Sequence, residues 1–316
     1  MIDFRYHLVS IVSIFLALAV GIVLGAGPLK EDIGNTLTSE VKNLRDDKAA
    51  LRSELDSATK GNQARDDFSA ASNRILLSGR LSNTTVSVIV LPGAEGGLVK
   101  STTDSLTAAG ARIGSTVTVQ DAWADPDKAT FRATLGQQLA LQVQVPPDQT
   151  TGEVVDAVLA RAVLAHGSSG PAASNGATAA LQGLSTGDLI RYTPDHISPA
   201  SLAVVVAGPV TGSDAAARDA RAQAFAALAS ALDTAGSGAV LVGPTVPATT
   251  KDESSVITAA RADGDISKHL STVDDGDIPM GQASVVLGLV EQLTGKAGQY
   301  GLAGDAGASF PQMATK

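Results

Sequence analysis

Three aspartates close together near the C-terminus are the residues best placed to do chemistry. They lie in STVDDGDIPMGQ, as Asp274, Asp275 and Asp277. Paired carboxylates can share a proton or hold a hard cation through oxygen. A more ordinary role is a strand-ending turn, with Asp277 capping a helix that starts near Pro279. His269 stands upstream and joins Asp274 and Asp275 in a metal site only if the fold brings them together. The other histidines are scattered: His7 near the N-terminus, His166 in a small-residue stretch, and His196 in the turn TPDHISP. Soft metals favour thiolate and thioether, yet the chain has no cysteine and only Met1, Met280 and Met313. Thiol catalysis and disulfides are therefore excluded.

A second candidate is the turn Pro92-Gly93-Ala94-Glu95-Gly96-Gly97. It follows an apolar run and precedes a helical pattern, where free backbone amides attract anions. It lacks both the G-x-G-x-x-G spacing and the Lys-Ser/Thr of a P-loop, so it reads as a plain strand-to-helix turn. There is no G-x-S-x-G elbow. Nothing in these motifs points to an enzyme, and no resident cofactor is expected. The net charge of −9 argues against nucleic-acid binding.

The elements that position these residues begin with a membrane segment. From Leu8 to Leu29 the chain carries no charge, enough helix for about 33 Å against a hydrocarbon core of about 30 Å. The apolar run is too long for a cleaved signal, and Leu24 sits where a cleavage site needs a small residue. The segment reads as an uncleaved anchor. Arg5 before it and Lys30 after it leave the charge rule nearly balanced. A short head crosses less readily than an exported tail, so the N-terminus is expected in the cytoplasm and the bulk outside. Ala17, Gly21 and Gly25 recur every fourth residue, a face on which two membrane helices can approach closely.

A stalk follows. Leu37, Val41, Leu44, Lys48, Leu51, Leu55 and Ala58 alternate four and three apart, with charges between them. That spacing predicts a coiled coil whose partner is a second copy or another chain, with Lys48 as a polar core position. The expected layout is anchor over 1–29, stalk over 30–79 and one extracytoplasmic domain over 80–316, divisible into lobes at 80–200 and 201–316.

In that domain short, almost wholly apolar runs end in Gly or Pro: Val86–Leu91, Leu202–Ala207 and Ala239–Val242. Runs apolar on both faces suit parallel strands covered by helices. Ala111–Gln120 and Asp188–Tyr192 read as further strands. Helical patterns span Gly97–Gly110, Phe131–Leu141, Val154–Leu164, Ala215–Ala235 and Ser254–Ala262, with another after Pro279. The alternation predicts an α/β fold with a mainly parallel sheet. Ala165–Ala180 (AHGSSGPAASNGATAA) is low in complexity and reads as a loose insertion. The run from Gly298 to Gly307 reads as a flexible turn.

Three stretches carry a family resemblance. The opening MIDFRYHLVSIVSIFLALAVGIVLGAGPL, with STVDDGDIPMGQASVVLGLVEQL and the ending GLAGDAGASFP, resembles the actinobacterial copper transporter family (MctB-like). The resemblance implies an envelope role in copper efflux or homeostasis, with copper as transported or weakly bound ion. The family name implies an outer-membrane pore. Relatives of the SteB type imply instead an anchored, non-catalytic scaffold for a septal partner in cell-wall separation. A single-chain pore needs a closed barrel of alternating strands with aromatic girdles. One Trp, three Tyr and six Phe supply no such girdles.

Overall fold

The computed structural model describes residues 4–26, 28–146, 153–165, 174–193, 197–245 and 255–312. His166, His196, Met1, Met313 and residues 166–173 of the low-complexity run lie outside them. The chain separates into two compact units, Met1–Arg65 and Asp66–Lys316.

The first unit is helical. Helix α1 (Phe4–Ala26) is followed by α2 (Pro28–Leu76), whose first residue is a proline. Proline has no N–H to give to a preceding turn but is well suited to start one, so the uncharged run to Leu29 divides there. The span apolar enough to cross a membrane is Phe4–Gly25. Its side chains are exposed all round, Ala17, Gly21 and Gly25 included, as expected of a helix whose solvent is lipid. On α2 the seam residues Leu37, Val41, Leu44, Lys48, Leu51 and Leu55 are exposed in the single chain.

The second unit is built on a seven-stranded sheet. The strands are β1 (Thr85–Val90), β2 (Arg112–Val119), β3 (Ile190–Tyr192), β4 (Leu202–Val206), β5 (Ala239–Val242), β6 (Ser271–Val273) and β7 (Gln299–Tyr300). Their order is β3-β2-β1-β4-β5-β6-β7. Every neighbouring pair is parallel except β2 with β3. The helices are α3 (Gly96–Ala108), α4 (Ala129–Ala140), α5 (Val154–Val163), α6 (Asn175–Thr186), α7 (Ala215–Ala235), α8 (Val256–Ala262) and α9 (Pro279–Gln292).

Both faces of the sheet are buried, which explains why the strands read as apolar runs. Side chains alternate between two cores. Val86, Val88, Leu202, Val204, Val240 and Val242 point to the face covered by α3 and α9. Ile89, Ala203, Val205 and Leu241 point to the other, with α5, α6 and α7. The chain leaves β1 for β2 across the first face and β4 for β5 across the second, so the sheet is doubly wound with its switch between β1 and β4.

One connection runs against the usual rule. Helices α3 and α9 lie on the same face, yet β1→β2 and β6→β7 step in opposite directions along the sheet. The two crossovers therefore have opposite hands. If the first is right-handed, as nearly all are, the second is left-handed. Strand β7 has two residues, too few for strand twist to dictate the hand, and side chains hold it in place instead.

The structure corrects two local expectations. Residues 174–186 are not loose: α6 is capped by Ser174, whose Oγ accepts the Ala177 N–H at 3.1 Å. It also buries Ala177, Ala180, Leu181 and Leu184 on one stripe. Within the supposed flexible turn, Gln299 and Tyr300 form an ordered edge strand beside β6.

Candidate functional site

Open α/β sheets place ligands beyond the carboxyl ends of their strands, at the switch point. Here that crevice is closed by backbone. Leu91 N–H donates to Val206 O at 2.9 Å. Gly93 and Gly208 then meet so closely that a Cβ on Gly208 would run into the Gly93 carbonyl. The turn after β1 therefore has no room for a phosphate. Glu95, the N-cap of α3, adds a carboxylate where an anion would sit.

The carboxyl end of β6 is where charge gathers. Asp274 follows Val273 directly and is buried. Its Oδ2 takes Arg261 Nη1 at 2.7 Å. Its Oδ1 accepts Leu302 N–H at 2.7 Å and Ala303 N–H at 3.1 Å. Arg261, in the last turn of α8, is itself only 4% exposed along its side chain. It also reaches Asp305 Oδ1 at 2.6 Å, Tyr300 O at 2.7 Å and Thr272 Oγ1 at 2.8 Å. Thr272 passes its hydroxyl hydrogen to Gln299 Oε1 at 2.6 Å. The Tyr300 hydroxyl donates to Glu291. Burial and that carboxylate together raise the Tyr300 phenol well above its ordinary value. This set is a clamp: one guanidinium fastens β6, β7 and the segment after it.

Asp275 differs from its neighbour in its partners. It is fully buried, yet neither carboxylate oxygen has a hydrogen-bond partner. Burial, reinforced by the charges of Asp274 and Asp277, pushes its carboxyl up to about 6. Asp277 does not cap α9, whose N-cap is Ile278 without a side-chain bond. Instead Asp277 Oδ1 accepts Thr245 N–H at 2.7 Å and its hydroxyl at 2.8 Å, tying the turns after β5 and β6 together.

His269 is not brought to these aspartates. It is exposed, before β6 begins, whereas Asp274 and Asp275 follow where β6 ends. Its near neighbour is Asp233 of α7, pushed up to about 6 by burial against the pull of the Ala239 N–H and of His269. Among the described residues no group of three or more His, Cys, Asp or Glu is arranged to hold a metal ion.

A second buried network was not apparent from the sequence. Arg132 of α4 grips both Glu153 oxygens at 2.9 Å. It also donates to the carbonyls of Ala122 and Asp125. Glu153 and Asp156 form a reciprocal capping box at the start of α5. Asp156 accepts Trp123 Nε1–H at 2.9 Å and Glu153 N–H at 3.0 Å. Burial outweighs these donors and pushes Asp156 up to about 7. The partners are 21 and 33 residues apart in sequence. Only the E-x-x-D spacing of the capping box was visible locally.

Comparison with known proteins now supplies what the geometry does not. Residues 1–311 match the family described as "Copper transport outer membrane protein, MctB". The chain belongs to the MctB family. The protein named "Copper transporter MctB" from Mycobacterium tuberculosis (strain ATCC 25618 / H37Rv) is 29% identical over 311 residues, covering 95% of this chain and 96% of that one. The protein of that name from Mycobacterium leprae (strain TN) is 28% identical over 314 residues, covering 96% of each. Membership and helix α1 together place the chain at a membrane. The matched range takes in α1, α2, the Arg261 clamp and the aspartate turn.

Proposed function

We propose that the protein is a non-catalytic, membrane-anchored component of copper homeostasis at the cell envelope. Its N-terminus lies in the cytoplasm and the sheet-bearing unit outside. The end-to-end family match carries this reading: 95% of the chain aligns with relatives named copper transporters. The relatives compared above carry the copper name, and none of them a septal one. In this reading copper is cargo. The described donor sets offer hard oxygens and isolated histidines rather than the thiolate, thioether or imidazole clusters copper prefers. An open sheet with both faces buried favours a domain that works on, or assembles into, an exporting apparatus. A pore in an outer membrane would require a closed barrel.

Assembly is the finer half of the proposal. The exposed seam of Leu37, Val41, Leu44, Leu51 and Leu55 supports pairing of two copies through α2, with Lys48 limiting the order of the oligomer. Crosslinking of the intact protein in its membrane should give dimers, which Leu44→Asp with Leu51→Asp should abolish. A monomeric wild type, or a double variant that still crosslinks, ends this part.

The function itself is tested by cell-associated copper in a strain deleted for the gene and grown in added copper. Copper that rises in the deletion and returns on complementation supports the reading. Unchanged copper refutes it.

A further inference from the structure

We propose that the turn Asp275–Asp277 at the carboxyl end of β6 binds a hard divalent cation, magnesium, calcium or manganese, with Asp275 as the anchoring carboxylate. Among the described residues the other two buried aspartates are held by donors: Asp274 by Arg261 and two backbone N–H groups, Asp156 by Trp123 and a backbone N–H. Asp275 alone of the three is fully enclosed with both oxygens bare. A buried carboxylate without partners is costly, and such an orphan calls for a counter-charge.

Among the described residues no side chain bonds to it, and Arg261 acts on it only from a distance. Arg261 is committed to Asp274 and Asp305. The first turn of α9 lies against Asp275 without bonding to its side chain. A Cβ on Gly281 would run into the Asp275 carbonyl and stand 2.6 Å from its Oδ1, so only glycine lets helix and carboxylate lie this close. Pro279 at the start of that helix has no N–H to offer. A proton on one oxygen would leave an O–H without an acceptor, whereas a cation engages both oxygens.

The chemistry of the donors selects the ion. Asp275 and the exposed Asp277 stand two apart, the D-x-D spacing by which two carboxylates meet one ion in calcium loops. Two carboxylates with water completing the shell is an ordinary arrangement for magnesium, and all-oxygen donors exclude a soft ion. The site is independent of the copper reading and stands or falls separately.

The test uses the full-length chain in detergent, stripped with EDTA and titrated with manganese at pH 7.5 while free ion is followed by electron paramagnetic resonance. One manganese per chain is expected, displaced by magnesium or calcium. Saturating ion should raise Tm by about 5 °C. Asp275→Asn should lose both the binding and the ion-dependent rise. Its ion-free Tm should match or exceed the wild type's, because it removes an uncompensated buried charge. Asp277→Asn, at an exposed position, keeps the fold and should weaken binding about tenfold by removing one of two charges. Wild type that takes up no manganese below millimolar concentration overturns the proposal. So does Asp275→Asn binding like wild type or, should that variant not fold, Asp277→Asn with undiminished affinity.

Discussion

Two adjacent aspartates at one strand end receive opposite treatment. Asp274 collects a guanidinium and two backbone N–H groups, and becomes the pin that holds β7 and the following residues to the sheet. Asp275, one residue on and at least as buried, collects nothing. Both residues lie just beyond the end of β6, and their carboxylates meet different neighbours. Asp274 faces α8 and the returning segment, where Arg261 waits. Asp275 faces the start of α9, where no donor reaches it. Burial alone therefore does not decide what a carboxylate contributes. The donors within its reach do.

Breaking the better-satisfied partner should cost most. Arg261→Met removes the only cation of the clamp and leaves the buried Asp274 charge with two backbone N–H donors alone. A loss of about 3–5 kcal/mol is expected, read by chemical denaturation. Adding Asp274→Leu should recover much of that loss, because the stranded charge is then gone. If the single variant unfolds like wild type, the clamp contributes no stability and the contrast with Asp275 disappears.

The contrast also has a pH signature. Asp156 and Asp275 both have folded values raised above the unfolded one, to about 7 and about 6. In the window from about pH 4 to 7 the folded protein then holds more protons than the unfolded chain. Stability from these groups is fully present below the unfolded value and is lost as pH rises through the folded ones. EDTA-treated protein should therefore lose a few kcal/mol between pH 4 and pH 7. Asp156→Asn should flatten the profile at its upper end and Asp275→Asn at its lower. A wild-type profile that rises with pH across this window would contradict both assignments.

The sheet was legible because strands buried on both faces leave a distinct mark. Val86–Leu91, Leu202–Ala207 and Ala239–Val242 have no polar side to confuse them with solvent-facing strands, apart from Ser87. That residue survives inside because its hydroxyl pairs with Ser115 at 2.8 Å. Helix α7 was legible to the residue for a similar reason, a long run of good helix formers between Asp214 and Gly236. Helix α6 was hidden by its Asn, Gly, Ser and Thr content, although Ala177, Ala180, Leu181 and Leu184 carry the helical spacing. The polar networks were hidden for a different reason. Arg261 meets Asp274, and Trp123 meets Asp156, only through tertiary folding, and no periodicity records such a meeting. The aspartate turn was visible as a motif, but its division into one satisfied and one bare carboxylate was not.

A narrower test lies in the second network. Trp123→Phe keeps the ring in its buried place and deletes one of the two donors to Asp156. A loss of about 1–3 kcal/mol is expected at pH 7.5, where the carboxylate is charged, and less at pH 5, where it is protonated. The pH dependence separates the lost donor from any change in packing, which would cost the same at both. Equal losses at the two values would mean that Trp123 contributes only its ring.

The smallest effect is expected where solvent does the work of donors. Lys100 and Asp104 form an i, i+4 pair on α3 at 2.5 Å, with both side chains mostly exposed. Water screens the pair, and ordering two flexible chains offsets what attraction remains. Lys100→Ala should change stability by no more than about 0.5 kcal/mol, and that little should fade in high salt. The pair is as short as those of the clamp, so distance is held constant while burial and donor number vary. A cost comparable with Arg261→Met would show that separation, not enclosure, sets the strength of ion pairs in this protein, and the difference between Asp274 and Asp275 would need another cause.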